Sequence, residues 1–250
     1  MTKDLENHAA LRAYVESLRP IPAGTFQMGT PNGHKSQKPV HSVTLSAFRM
    51  GATPVTVALW REYCEATNKP MPSEPDWGWR DDHPVVSVSW TDIMGTYGEV
   101  GFCAWASDIA GFGLTLPTEA QFEYAACGAQ SSLQFPWGDT FDDSKVWCSE
   151  KPYIRHSTAP VVRSSNIFIN SFGLTDMSGN VYQWCFDYFG KYSKRPTTNP
   201  VGPSWGEDGH CVRAGYYGSP PENLGCAWRS WNYAHAGGCA FGFRLAAGPG

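Results

Sequence analysis

Several things are missing from this sequence of 250 residues, and each absence excludes a class of protein. No apolar run reaches the roughly 18 residues that a membrane-crossing helix needs. The opening stretch, MTKDLENHAALRAYVES, lacks the basic and apolar regions of a signal peptide. The expectation is a soluble, cytoplasmic protein with no membrane insertion, unless an export signal has been trimmed away. Positive charge is scarce: 19 Lys and Arg face 23 Asp and Glu, and no basic block stands out. A nucleic-acid partner therefore has no electrostatic footprint.

Catalytic signatures are equally scarce. There is no GxSxG, HExxH or P-loop, and no GxGxxG opening a helix. Eight cysteines are spread along the chain (Cys64, Cys103, Cys127, Cys148, Cys185, Cys211, Cys226 and Cys239) without a CxxC pair or a close Cys/His cluster. Most have apolar or aromatic neighbours, so reduced, buried thiols are expected. Asp81, Asp82 and His83 read as a solvated loop before a strand, and Asp142–Asp143 as a turn.

What the chain does have is 26 Gly, 19 Pro and 11 Trp. That composition describes a loop-rich globule pinned by aromatic side chains. Leu11, Tyr14, Val15 and Leu18 share one stripe of a helix expected over 5–18, which Pro20 ends. Strands are expected at 21–30 and 41–50, and Thr56 precedes a helix over VALWREYCEAT. Ser89 can cap a helix that starts near Trp90. In LPTEAQFEYAACG, Thr118 and Gln121 form a capping box and Gly128 supplies the stop. Beyond residue 129 the chain reads as turns and short strands, at 181–189, 210–217 and 242–247. The sum is an α+β fold: an N-terminal helix at 1–19, then one domain over 20–250.

Motif order is more specific. IPAGTFQMGT (21–30), PVHSVTLSAFRMGATPVTVALWREYC (39–64), HPVVSVSW (83–90), LPTEAQFEYAA (116–126), FPWGD (135–139), NSFGLTDMSGNVYQW (170–184) and GFRLA (242–246) follow one another. In this order they resemble the sulfatase-modifying-factor family, the formylglycine-generating-enzyme type of C-type lectin fold, over residues 20 to 247. The resemblance implies little regular secondary structure, terminal strands that lie together, and a C-terminal segment forming a solvent-facing ligand surface.

The family's chemistry does not carry over with its fold. Its catalytic members use two cysteines a few residues apart to bind copper and oxidise a substrate cysteine. The matching stretch, AGYYGSPPENLGCAWR (214–229), holds only Cys226. One soft ligand makes no thiolate copper site. Iron-dependent relatives need His-x-x-x-His-x-Glu, which none of the seven His residues begins. No catalytic and no metal-binding residue is therefore expected. The alternative is a copper-dependent formylglycine-generating oxidase with displaced cysteines. Structural calcium in the family uses Asn and Glu of a GNxWEW motif. Here GNVYQW keeps Asn180 but puts Gln183 in place of the acid, and Trp147 stands where a second site wants Asn. No cofactor is expected; Asn180 and Gln183 should bond loop backbone instead.

The informative stretch is 214–241. Gly215, Pro221, Glu222, Asn223, Leu224, Ala227 and Arg229 keep the family register, while positions where relatives carry Asn hold other residues. Apart from that of Trp231, which an Arg AGG codon gives by one adenine change, their codons are reached from Asn codons by changing adenines alone. This resembles the adenine-directed mutagenesis of diversity-generating retroelements, whose variable proteins are similar in fold and in where they vary. The expected ligand-binding set, within a variable region at about 212–246, follows from this. Tyr216, Tyr217, Trp231, Tyr233, His235 and Phe241 are aromatic anchors with few rotatable bonds. Gly218, Ser219, Ala236, Gly238 and Ala240 leave hollows between them, and Ser230 and Cys239 complete the set. Arg213, Arg229 and Arg244 are expected to bond buried carbonyls or carboxylates. The other tryptophans, Trp77 and Trp90 among them, are assigned to the core. The resemblance implies a non-catalytic protein whose C-terminal patch binds diverse, chiefly protein, ligands.

Overall fold

In the computed structural model, which describes residues 3–128, 133–149, 156–163, 165, 167–206 and 209–249, side-chain caps start three of the α-helices. Thr56 accepts from the Leu59 amide at the head of α3 (Val57–Thr67). Ser89 and Asp92 cap α4 (Trp90–Met94) reciprocally, and Thr118 and Gln121 do the same for α6 (Glu119–Ala126). The helix expected over 5–18 is two pieces, α1 (Lys3–Glu6) and α2 (Ala9–Glu16). His8 gives α2 no side-chain cap. Instead Glu62 of α3 accepts from the Ala10 and Leu11 amides, at 2.9 and 3.2 Å. That tertiary cap fixes where α2 begins. Tyr14 then donates to the Thr53 carbonyl and accepts from the Leu245 amide, tying the helix to the loop at residue 53 and to the C-terminal segment.

The helix beginning at Trp90 ends at Met94, with Gly95 after it. A hairpin, β5 (Gly95–Thr96) and β6 (Glu99–Val100), separates α4 from α5 (Phe102–Ala110). Among the described residues no helix is long and apolar enough to cross a membrane.

Among the described residues three further sheets complete the architecture. The first takes β1 (Arg19–Ile21), β4 (Phe48–Met50), β13 (Ala246–Ala247) and β7 (Leu114–Thr115) in that order, so N- and C-terminal strands lie side by side. The second joins β2 (Gly24–Met28), β3 (His41–Leu45) and β9 (Thr197–Thr198). The third, in the order β11 (Ser230–Asn232), β10 (His210–Arg213), β8 (Tyr182–Tyr188) and β12 (Phe241–Gly242), carries the C-terminal segment. Side chains alternate across it. Trp184 and Val212 enter one core, with α2, α3 and α5; Cys185 and Cys211 enter the other, with β2, β3 and α6. In the first core Trp60 stacks on Phe102 and meets Phe243 edge-on.

Candidate ligand-binding surface

The surface rests on buried charge. The Arg213 guanidinium donates to the Glu123 carboxylate and to the Trp228 carbonyl. Arg229 forms a two-pronged pair with Glu119, at 2.5 and 2.6 Å, and donates to the Ser36 and Gly190 carbonyls. Burial pushes the Glu119 carboxyl up, but Arg229 and Arg213 outweigh it and hold it below the usual range. Asp187 shares this interior and accepts from the Glu119 amide at 2.8 Å. Burial first, and the Glu119 charge second, push it up to about 7. Arg213, Arg229 and Arg244 all bond carbonyls or acidic and amide side chains, as expected.

From β10 the chain enters a tight turn. Ala214 and Gly215 both have positive φ, 76° and 72°. A side chain at Gly215 would meet the Asn223 carbonyl oxygen at 2.7 Å. The Ser219 hydroxyl accepts from the Tyr216 amide, and the Tyr217 amide donates to the Asn180 carbonyl. Ser219 is fully buried, and it closes this turn rather than facing solvent. Tyr217 is 7% exposed; its ring meets Trp77 edge-on and its hydroxyl lies 3.5 Å from the Cys239 thiol. These two of the thirteen expected ligand-binding positions therefore sit beneath the surface, because the turn folds them inward.

Tyr182 is the hub of the floor. Its ring lies against Tyr216 at 4.8 Å, Phe241 at 5.2 Å and Trp228 at 5.5 Å, the last nearly parallel. Burial pushes the pKa of its hydroxyl up, against an opposing pull from the neighbouring Ser219. Phe241 also packs on Trp184. A second group stands further out: Trp231 meets Tyr233 edge-on, and Tyr233 stacks on His235. Tyr233, His235 and Cys239 are exposed; Tyr216, Gly218, Ser230, Trp231, Ala236, Gly238, Ala240 and Phe241 are half-buried. Below β11, His210 is sandwiched between Trp90 and Tyr188 at 3.7 and 4.1 Å. Tyr182, Trp228 and Trp77 are floor residues that sequence reasoning missed. One signal was available, since Tyr182 holds the aromatic place of the GNxWEW pattern.

Main-chain bonds hold the segment. The Ser87 amide donates to the Gly238 carbonyl, Thr91 to Ala234 and Tyr182 to Ala240. Strand β11 pairs with β10 from Ser230 to Asn232, and Gly238 accepts from Phe241. None of these bonds uses a side chain of the segment. Alongside runs a crevice of about 1120 Å³ between the loop at 29–37 and residues 221–231, with Trp228 and Trp231 on its wall.

The cysteines of the region do not converge. Cys226 is buried beside Cys127, and burial pushes its thiol well up, away from the thiolate that binds copper. Cys211 lies buried under Arg229, and Cys239 is on the surface against Tyr217. Among the described residues no three His, Cys, Asp or Glu side chains form a group able to hold a metal. This donor set does not fit copper. Nor do Asn180 and Gln183 offer free oxygens. The Asn180 amide pairs with both backbone groups of Ala159, and Gln183 is held between Arg244 and the Asp176 carbonyl.

Short mixed elements, adjoining terminal strands and a displayed C-terminal segment define a C-type lectin fold of the formylglycine-generating-enzyme type. The family description "Sulfatase-modifying factor enzyme 1-like domain" matches residues 6–248, and the chain belongs to that family. The match includes most of the N-terminal helical pair. The chain is 30% identical to serine/threonine-protein kinase pkn1 of Chlamydia caviae, over 91% of this chain but 37% of that protein's length. It is 28% identical to the formylglycine-generating enzyme of Streptomyces coelicolor, over 90% of this chain and 87% of the enzyme. Among solved structures, Treponema denticola variable protein 1 superposes with a TM-score of 0.77 at 22% identity, covering 93% of this chain and 95% of the other.

Proposed function

We propose that the protein is a non-catalytic binding scaffold, diversified by a retroelement, whose C-terminal surface takes protein ligands. The observation that carries this reading is the set of main-chain bonds that ties β11, Ala234, Gly238 and Ala240 to the framework. Side chains there can change without altering the bonds that set the backbone. The exposed set is Tyr233, His235 and Cys239, and the half-buried rings of Tyr216, Trp231 and Phe241 border it. Such rings give wide amphipathic contact at low entropic cost, and the small residues between them adapt to shape. Tyr217 and Ser219 act in this reading by shaping the turn beneath. An open patch of mixed rings and hollows suits a protein face better than a closed small-molecule site. The test replaces Tyr233, His235, Cys239 and Ala236 together with residues reachable from Asn codons. The expected outcome is an unchanged melting temperature and an unchanged backbone. A cooperative loss of structure would contradict it.

A copper-dependent oxidase is the second reading, favoured by the likeness to the Streptomyces coelicolor enzyme. Copper(I) titration separates the two. The scaffold reading expects no stoichiometric complex that depends on Cys226, whereas a tight one, lost in Cys226→Ser, would revive catalysis.

A further inference from the structure

The turn at 175–183 carries the surface from below, because the Asn180 carbonyl accepts from the Tyr217 amide and the Gly179 amide donates to the Ala214 carbonyl. Asp176 and Asn180 hold positive φ, 51° and 65°, so this turn needs a fastening. Calcium is the fastening that the family pattern implies, and it asks for six to eight oxygen ligands. In this chain the oxygens are spent on N–H donors. Both Asp176 carboxylate oxygens face the Arg163 guanidinium, at 2.8 and 3.2 Å, and the second also accepts from the Asn180 amide at 2.9 Å. The Pro160 carbonyl accepts from Arg163 as well. The Asp176 carbonyl takes the Gln183 amide at 2.6 Å, and the Gln183 oxygen takes Arg244 at 2.6 Å. Arg244 also reaches the Thr175 and Gly51 carbonyls.

Charge argues the same way. Arg163 pairs with the Asp176 carboxylate while the Arg244 guanidinium lies against the Asp176 carbonyl, so a divalent cation would meet two fixed positive charges. Both departures from the calcium pattern converge on this knot. Gln183, in place of the acid, accepts from Arg244 without adding charge. Trp147, in place of Asn, lays its ring 5.9 Å from the Arg163 guanidinium, while its carbonyl accepts from the Asn180 amide. The Arg163 side chain is 8% exposed and that of Asp176 1%. A forked guanidinium can bond both carboxylate oxygens and a carbonyl at once, which makes it a geometric substitute for a bound cation.

We propose that Arg163 is a built-in replacement for a divalent cation, so that the turn under the binding surface is fastened without calcium. The test uses the full chain, with calcium itself as the probe. Wild-type melting temperature should be the same in saturating calcium and in excess chelator; a rise with calcium would overturn the proposal. Arg163→Ala should lower the melting temperature by about 10 °C, as expected for a buried charge left alone. It should also speed amide exchange at 214–217 relative to α3. Unchanged exchange there would equally overturn it. Where Arg163→Ala does not fold, Arg163→Lys keeps the charge without the fork, and its amides at 214–217 should still exchange faster than wild type. Neither readout involves a ligand of the surface, so failure here leaves the binding reading untouched.

Discussion

The Tyr182 ring lies almost parallel to the Trp228 indole, with centroids 5.5 Å apart and planes inclined by 13°. Tyr182 belongs to β8 in the sheet centre, and Trp228 to the loop before β11. Their contact joins a framework strand to the segment that carries the surface. Tyr182→Ala should cost about 2–3 kcal/mol in urea unfolding, less than full burial of such a ring because Tyr182 is only half-buried. Tyr182→Phe removes only the hydroxyl beside Ser219 and should cost no more than about 1 kcal/mol.

Position within the surface should divide stabilities sharply. Tyr233→Ala, His235→Ala and Cys239→Ala touch exposed side chains, and each should stay within about 0.5 kcal/mol of wild type. Gly215→Ala combines a positive φ with a contact at 2.7 Å on backbone, so it should cost at least about 2 kcal/mol. Equal costs across the four variants would contradict the division between surface and turn.

Breaking the floor's ion pairs should be worse. Arg229→Met leaves the buried Glu119 with only the more distant Arg213 charge, at 3.5 Å, and strips a donor from the Ser36 and Gly190 carbonyls. The expected loss is about 3–5 kcal/mol, read as a fall in the unfolding midpoint at constant slope.

Asp187 should make stability depend on pH. Its folded-state value of about 7 lies above the ordinary carboxylate range, so the native chain holds a proton that the unfolded chain releases. The stabilisation is full below about pH 4 and is lost as pH rises to about 7, at up to about 1.4 kcal/mol per pH unit. Glu119, held below its ordinary value, acts in the opposite sense: its contribution is present above the ordinary range and lost in acid. Urea unfolding between pH 5 and 8 should show wild type losing stability relative to Asp187→Asn as pH rises. Parallel curves would contradict the assignment.

Much of the fold was legible because its signals are local. Thr56, Ser89 and Thr118 cap helices where their sequence positions say, since each cap needs only a neighbour three residues on. The break between α1 and α2 was not legible, because the cap that creates it comes from Glu62, some fifty residues away. Strand 210–217 ends at Arg213, since Ala214 and Gly215 take left-handed backbone that no propensity at Ala214 announces. In the surface, residue identity showed which positions depart from the family pattern. It could not show that Tyr217 and Ser219 turn inward, or that Trp77 arrives beside Tyr217 from a loop 140 residues earlier. Depth depends on contacts that only the folded chain brings together.

The most direct test of the central claim is to sequence the DNA flanking this gene and compare it with the codons for residues 210–247. The diversified-scaffold account predicts a near-copy whose differences fall at adenines, at the codons of surface positions such as Tyr233, His235 and Cys239, with those of Arg213, Arg229 and Arg244 unchanged. A flanking region with no such copy, or one whose differences fall on the buried framework codons, would contradict it and leave a scaffold with one fixed partner, or the oxidase, as the better account.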